Sequence, residues 1–571
     1  MVYIVKQKVN GKDYFYLRKS VREGGKVKSK SVAYLGKTRE EAEEKTKEII
    51  KNMESKENNT LKEESNRKME QENKEENSRN LERKEISVED LANFCKRRGF
   101  VFRSGDLYGG FSGFWDFGPV GVELKNNLKG EWWKEHVHGR EEVVGIDGSI
   151  ITNPKVWEAS GHIKNFVDVA VICKKCKNKS KVDKHELETA KCEKCGGEFE
   201  SRGDFNPMFT TTVGAVKEDS VVSYLRPETA QLIFSNFKQV QEVSRLKLPL
   251  GIAQMGKAFR NEVAPRDFLF RSREFEQMEI EYFIDPEEKN NCPYIHEVEN
   301  MKLNVLSEEM QKSNVEESQE MVVKEILNKE IIKLPWHAYW LAKEVKWFLD
   351  LGASPENFRI RQHLSEELSH YATDTWDIEY KFPFGWKELQ GIADRGTYDL
   401  SQHEEHSKKE MRIFDDRKQE KILPMVVAEP SLGLERAFLV FLFDGLYRNE
   451  KNETVLKISP RLSPIKAAVF PIIKKPEFQK FAESIVDDLK KEWNISYDKS
   501  GSIGKRYARN DEIGTPFCIT VDDKSLEQED VTIRDRDTAK QIRVKTKDLK
   551  NVLRDLINED KKFEDFLKNN E

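Results

Sequence analysis

The rhythm of apolar and polar positions changes several times along the chain, and each change predicts a different kind of element. Near the start, Tyr14-Phe15-Tyr16-Leu17 and Ser31-Val32-Ala33-Tyr34-Leu35 read as strands, with Asn10-Gly11 and Gly24-Gly25 where tight hairpin turns would fall. Residues 1–37 therefore form a small β-rich unit. From Lys37 to Arg98 there is no glycine or proline, and residues 51–85 are nearly all Lys, Glu, Asn, Ser and Arg. Such a composition cannot offset its ordering entropy by burial, so residues 38–85 read as a linker, either disordered or an exposed helix laced with Glu–Lys pairs. From about Ile86 aromatics and glycines return and the pattern becomes globular. Val120, Leu124, Leu128 and Trp132 recur every four residues as one apolar stripe, which predicts a helix entered at Pro119. A strand end at Glu429-Pro430-Ser431, a turn at Gly433 and the run Ala437–Phe443 predict a deeply buried helix. Residues 466–571 mix short strands with amphipathic helices, as a separate α/β domain would. No internal repeat is visible.

Composition narrows the setting. The 571 residues are 35% charged and 37% hydrophobic, with a mean hydropathy of −0.73. That length predicts three or four domains. The longest apolar run, Ala437–Phe443, is far short of the roughly 20 residues a membrane span needs. The first residues lack the layout of a signal peptide, and seven cysteines do not suggest a secreted disulfide scaffold. A cytoplasmic protein without a membrane partner is expected. The net charge of −5 is uninformative, because only local clusters select a partner. One such cluster is the first 37 residues, where ten Lys or Arg stand against Asp13 and Glu23. With its tyrosines, this unit is either a small nucleic-acid-binding sheet or a solvated basic appendage.

Four cysteines, Cys173, Cys176, Cys192 and Cys195, follow a Cys-x2-Cys-x15-Cys-x2-Cys pattern. Two such knuckles can supply the four thiolates of a tetrahedral, structural Zn²⁺ site, expected in an insertion at about 170–200. A redox pair and a site that has lost its metal are the alternatives. Cys95, Cys292 and Cys518 are isolated and read as packing residues.

Three segments hold charges inside strand- or helix-like frames. Phe114-Trp115-Asp116-Phe117-Gly118-Pro119 leads into the striped helix. Met255–Glu262 and Phe270–Phe283 read as an antiparallel hairpin, with Arg260 and Glu279 on strands and Arg266 and Arg271 near the loop. A pair of strands so charged is a poor core element, whereas guanidinium groups on a rigid sheet suit phosphate. The third segment, Glu429–Arg436, places Arg436 in the first turn of the buried helix, where it needs a counter-charge. There is neither a Gly-x-Gly-x-x-Gly nor a Walker-type loop.

Together these segments resemble motifs 1, 2 and 3 of the class II aminoacyl-tRNA synthetases. Arg226-Pro227-Glu228-Thr229-Ala230-Gln231, Glu388-Leu389-Gln390-Gly391-Ile392-Ala393-Asp394-Arg395 and Glu429-Pro430-Ser431 are similar to those of glycyl-tRNA synthetases of the dimeric archaeal and eukaryotic type. Ser502–Arg509 and Gly514–Phe517 resemble that family's anticodon-binding domain. The resemblance covers roughly residues 88–556.

The resemblance implies an α+β fold: an antiparallel sheet flanked by helices over 86–465, a zinc-ribbon insertion, a further insertion at about 286–375, and a C-terminal α/β anticodon-binding domain. It implies a homodimer that attaches glycine to tRNA(Gly) through a glycyl-adenylate, using ATP and Mg²⁺. Arg260, Arg436 and Glu388 would be the catalytic residues. ATP would be held by Arg260, Asn261, Glu262, Phe270, Arg271, Phe275, Glu388, Leu389, Gly433 and Arg436, with Phe275 under the adenine, Arg436 on the γ-phosphate and Glu388 near Mg²⁺. Glycine would be held by Glu228, Phe275, Glu279, Glu429 and Ser431. Lys505, Arg506, Tyr507 and Arg509 would meet the anticodon. Lys181 stands where the family commonly has arginine, so its carry-over is open. The alternatives are a synthetase for another amino acid and a non-catalytic paralogue that binds nucleic acid.

Overall fold

Two rows of side chains along one strand, Glu274–Ile284, set the architecture around the site. Met278, Ile280 and Tyr282 turn to one face and join the main apolar core, while Phe275, Gln277, Glu279 and Glu281 turn to the other. The strand pairs antiparallel with Leu250–Phe259 on one side, Gln254 opposite Glu279, and with Met425–Gly433 on the other, Ser431 opposite Glu279. The expected hairpin is thus present, but Arg260 lies one residue beyond its strand.

The computed structural model describes residues 2–9, 12–23, 26–46, 86–182, 187–369 and 371–567. The chain forms two compact units, Met1–Lys84 and Glu85–Glu571. In the first, strands Val2–Val9, Lys12–Glu23 and Lys26–Gly36 make an antiparallel sheet in chain order, followed by a helical segment over 39–46. Asn10-Gly11, Gly24-Gly25 and most of the expected linker lie outside the described residues.

In the second unit the central sheet has nine strands. Their order is Gln319–Val322, Lys302–Leu306, Phe358–Gln362, Asp374–Phe382, Gly385–Asp394, Met425–Gly433, Glu274–Ile284, Leu250–Phe259, Val143–Ile146. The expectation of an antiparallel sheet needs one correction. Lys302–Leu306 runs parallel to Phe358–Gln362, and Val143–Ile146 parallel to Leu250–Phe259, so the sheet is mixed. The stretch 286–375 is built into the sheet. It supplies three of these strands and the helix Pro335–Asp350, whose Trp336, Trp340 and Phe348 lie in the main core.

Two predicted helices pack beneath the site. Leu434–Gly445 is apolar nearly all round and buries nine of its twelve residues, as such a helix must. Pro119–Trp133 buries Leu124, Leu128 and Trp132, three of the four stripe positions, and Phe117 just ahead of it packs edge-on against Phe438 at 5.2 Å. Asp168–Cys173, Lys179–Val182 and Phe199–Phe205 form the small antiparallel sheet that carries the cysteines. At the C-terminus, Ile495–Tyr497, Ala467–Pro471 and Phe517–Val521 pair in parallel and Asp530–Asp535 and Gln541–Lys545 add antiparallel, over a separate apolar core.

Candidate active site

The polar face of the central sheet opens into a cleft of about 390 Å³. Residues from two of the three charged segments line it, joined by a further strand: Arg260, Glu262, Phe270, Arg271 and Phe275 from the hairpin, Glu429, Ser431, Gly433 and Arg436 from the strand–helix junction, and Glu388 and Leu389 from Gly385–Asp394. Glu228 and Glu279 line its floor. Of the residues expected to bind ATP or glycine, Asn261 alone does not line the cleft. The chain turns there, and the Asn261 backbone N–H donates to Pro207 O at 2.7 Å.

The floor is acidic and buried. Glu228, Glu279 and Glu429 are 8%, 1% and 7% exposed. Arg395 threads beneath them, donating from Nε and Nη2 to Asp399 (2.7 and 3.0 Å) and from Nη1 to Glu429 Oε1 (2.7 Å). Asp399 also accepts from Gln231 Nε2 at 2.8 Å. Thr229 Oγ1 donates to Glu279, and His162 Nε2 lies 3.1 Å from Glu228. Glu281, one pleat further along the strand, is fully buried, and neither of its oxygens has a hydrogen-bond partner among the described residues.

Burial raises the cost of ionising each of these acids, and their neighbours then divide them. For Glu228, His162, Arg395 and Arg260 outweigh burial and hold its carboxyl well below the usual range. Burial and the Glu228 charge push Glu279 up. Burial also pushes Glu429 up to about 8, against the pull of Arg395. Glu281 is raised well above the ordinary value by burial and by Glu429.

The segment Arg226–Gln231 is fixed to the hairpin by Arg226, which donates from Nε to Lys257 O and from Nη1 to Gly148 O, both at 2.7 Å. A Cβ on Gly256 would come within 2.1 Å of Arg226 Nη2, so only glycine permits this approach. Arg260 donates from Nε to Pro227 O at 2.9 Å, and its guanidinium stands 5.5 Å from the Phe275 ring centroid. At the far end Arg436 lies 4.6 Å from the Phe270 ring centroid and pairs with Glu388, whose carboxyl it holds below the ordinary value.

Other cleft residues carry no signal in the linear sequence. His363 Nε2 and Asp377 Oδ2 lie 2.8 Å apart, and burial pushes Asp377 up to about 6 against that hydrogen bond. Lys181 also lines the cleft, 2.8 Å from Asp168 and 3.9 Å from Glu262. His363 and Asp377 stand on or beside different strands, so only their spatial meeting identifies them, whereas Lys181 is the position the resemblance already set against the family's arginine. Arg395 closes the Glu388–Arg395 motif, and a lone arginine at the end of a mostly apolar strand is the clue the sequence offers for it.

The four cysteine sulfurs lie within 4.8 Å of one another, with Cys173–Cys195 and Cys176–Cys192 at 3.5 and 3.6 Å. A tetrahedron of Zn–S bonds of about 2.3 Å has edges of about 3.8 Å, so the donor set fits zinc in type, number and spacing. The Cys176 backbone N–H, 3.4 Å from the Cys173 sulfur, helps lower that thiol to about 6. Arg266, in the hairpin loop, pairs with Glu193 beside these cysteines.

In the C-terminal domain one expectation is corrected. Arg506 is 2% exposed and donates to Pro471 O and Gly501 O at 2.6 and 2.9 Å, so its guanidinium holds the fold and is not presented to an RNA phosphate. Tyr507 is half-buried, with its OH 2.9 Å from Thr520 Oγ1 and its ring against Phe470 and Arg534. Arg509 pairs with Asp498, and Lys505 is exposed.

Comparison with known proteins adds three findings. Residues 466–556 match a family described as anticodon binding domain. Residues 2–66 match one described as IS1634 family transposase, N-terminal domain. Over the longer stretch the chain is similar to the glycine–tRNA ligase of Bifidobacterium longum, 43% identical over 489 residues, covering 81% of this chain and 91% of that protein. The corresponding proteins of Treponema denticola and Clostridium kluyveri are each 42% identical, with 96% and 99% of their lengths covered. These relatives are bacterial.

Proposed function

The chain belongs to the glycine–tRNA ligases, class II aminoacyl-tRNA synthetases, and from that premise we propose how its cleft performs the reaction. Glycine enters with its ammonium toward Glu228, Glu279 and Glu429 and its carboxylate toward Arg260. The observation that carries this reading is the meeting of three buried carboxylates with Arg260 and Arg436 in one cleft. Three acids around a small polar floor suit an α-ammonium, and the same crowding excludes a β-carbon.

ATP lies along the hairpin, with its adenine on Phe275, its α-phosphate at Arg260 and its γ-phosphate at Arg436. The glycine carboxylate oxygen attacks the α-phosphorus. The bond to the bridging oxygen breaks, pyrophosphate leaves, and glycyl-adenylate remains. The terminal ribose hydroxyl of tRNA(Gly) then attacks the glycyl carbonyl carbon and AMP departs. No side chain becomes covalently bonded, so the rate comes from positioning and from cations placed against developing charge. Glu388 offers hard oxygen ligands suited to Mg²⁺, which neutralises phosphate charge when bound. Zinc at Cys173, Cys176, Cys192 and Cys195 has a structural role, since sulfur fills all four positions.

We read the working form as a cytoplasmic homodimer. Among the described residues no helix is long and apolar enough to cross a membrane. Leu107, Tyr108 and Phe111, just before the helix Pro119–Trp133, are 87%, 90% and 78% exposed, an apolar group suited to a second copy. Sedimentation of a Leu107→Asp, Phe111→Asp variant tests this: a monomer is expected, and an unchanged dimer would exclude that surface. The catalytic reading is tested by glycine-dependent exchange of pyrophosphate into ATP, which Arg260→Ala should abolish. Exchange that survives the substitution would remove Arg260 from its role.

A further inference from the structure

The basic three-stranded sheet of the first unit has two faces that are built differently. On one, Phe15, Leu17 and Leu35 form a small core closed by Ala42 of the helical segment. Strand alternation turns Tyr14, Tyr16 and Arg18 to the other face, away from that core. There the Tyr34 ring stands 6.3 Å from Tyr14 and 5.4 Å from Tyr16, and the pairing register sets Tyr3 opposite Arg18. Tyr3 and Tyr34 are 38% and 48% exposed. Lys37 Nζ lies 6.0 Å from the Tyr14 ring centroid.

The charge of the unit selects the occupant. Ten Lys or Arg face only Asp13 and Glu23 within residues 1–37, and Asp13 is already paired with Lys6 at 2.7 Å. A surface evolved for a protein partner would show an apolar centre with a mixed polar rim. Here the tyrosine rings share their face with Arg18 and have Lys37 at their edge, while the register sets Asp13 and Glu23 on the opposite face, a combination that stacks unpaired bases and neutralises backbone phosphates. The separate match of residues 2–66, to a family unrelated in description to the ligases, marks the unit as an addition to the catalytic chain.

We propose that the face bearing Tyr3, Arg18 and Tyr34 is a second RNA-binding surface. It holds the tRNA substrate through unpaired bases and phosphates and raises its local concentration at the ligase. The proposal rests on the ligase reading for the identity of its RNA.

The test uses the full chain and a tRNA(Gly) transcript, with affinity measured between 50 and about 200 mM salt, the range over which counterion release is large. Arg18→Ser with Tyr34→Ser should weaken binding about tenfold at low salt and flatten the slope of log K against log salt by about 0.7–0.9, the change expected when one phosphate is no longer neutralised. Arg18→Lys with Tyr34→Phe keeps charge and ring and should bind within about twofold of the wild type. Glycine-dependent exchange, which needs no tRNA, should be unchanged in both variants. Unchanged tRNA affinity in the serine variant would overturn the proposal. So would an equal loss in the conservative variant, or a loss confined to duplex DNA of matching length. Absence of exchange in the wild-type chain would count against the catalytic reading, and it is scored separately from binding.

Discussion

Arg436 and Glu388 meet at the mouth of the cleft: Arg436 Nη1 lies 3.1 Å from Glu388 Oε1 and donates to the Glu388 backbone carbonyl at 2.8 Å. One residue stands in the first turn of a buried helix and the other on the neighbouring strand of the central sheet. In the proposed mechanism the pair holds a guanidinium for the end of the triphosphate and keeps beside it a carboxylate for a divalent cation.

Arg436→Ala should therefore lower glycine-dependent exchange by about 100-fold or more, the usual cost of removing one group that stabilises charge in the transition state. Thermal unfolding should barely move, because the pair is partly open to solvent and such pairs contribute about 0–1 kcal/mol. A large drop in stability would show that the arginine serves the fold instead.

Arg395 should behave in the opposite way. It is 1% exposed, and its loss leaves Asp399 and Glu429 buried without their cation. Breaking a buried pair from one side costs about 3–5 kcal/mol, so Arg395→Ala should shift denaturant unfolding by that order. A shift below about 1 kcal/mol would mean that the floor acids take up protons to compensate.

The contrast between these arginines shows what linear sequence reveals. Arg436 stands out because a cation interrupts an apolar helix start, and Arg260 because it sits at the end of a charged hairpin strand. Alternation along Glu274–Ile284 is enough to put Phe275 and Glu279 on one face. His363 and Asp377 stand on or beside neighbouring strands and carry no local pattern, so only the sheet order unites them. Val305 pairs with Ile360, 55 residues away, and such pairing leaves no trace in local periodicity. Arg506 is misplaced for the same reason: a basic helix start gives no sign that carbonyls at Pro471 and Gly501 already occupy its guanidinium.

The floor acids predict a pH dependence. Burial holds Glu429 up to about 8, and an ionised carboxylate is the form that attracts the glycine ammonium. Hence kcat/KM for glycine in exchange should rise as pH increases toward about 8. Glu429→Gln should lower it and flatten that rise. The sign for stability is opposite. The folded-state value lies above the ordinary one, so this group favours folding most at low pH, and its contribution is lost as pH rises through the folded value. A glycine profile flat between pH 6 and about 8 would contradict the assignment.

The cysteine cluster predicts one zinc ion per chain by elemental analysis. Replacing Cys192 by serine should reduce zinc content and expose the stretch 168–205 to protease, while the central sheet stays protected. A chain without zinc that resists protease at that stretch would contradict a structural metal.

The central claim is that this cleft activates glycine and rejects anything with a β-carbon. The direct measurement is amino-acid-dependent exchange of pyrophosphate into ATP by the wild-type chain, with each of the twenty amino acids in turn. Strong exchange with glycine, and little with alanine or serine, is the predicted result. Exchange with alanine or serine comparable to that with glycine would contradict the account, as would no exchange with glycine.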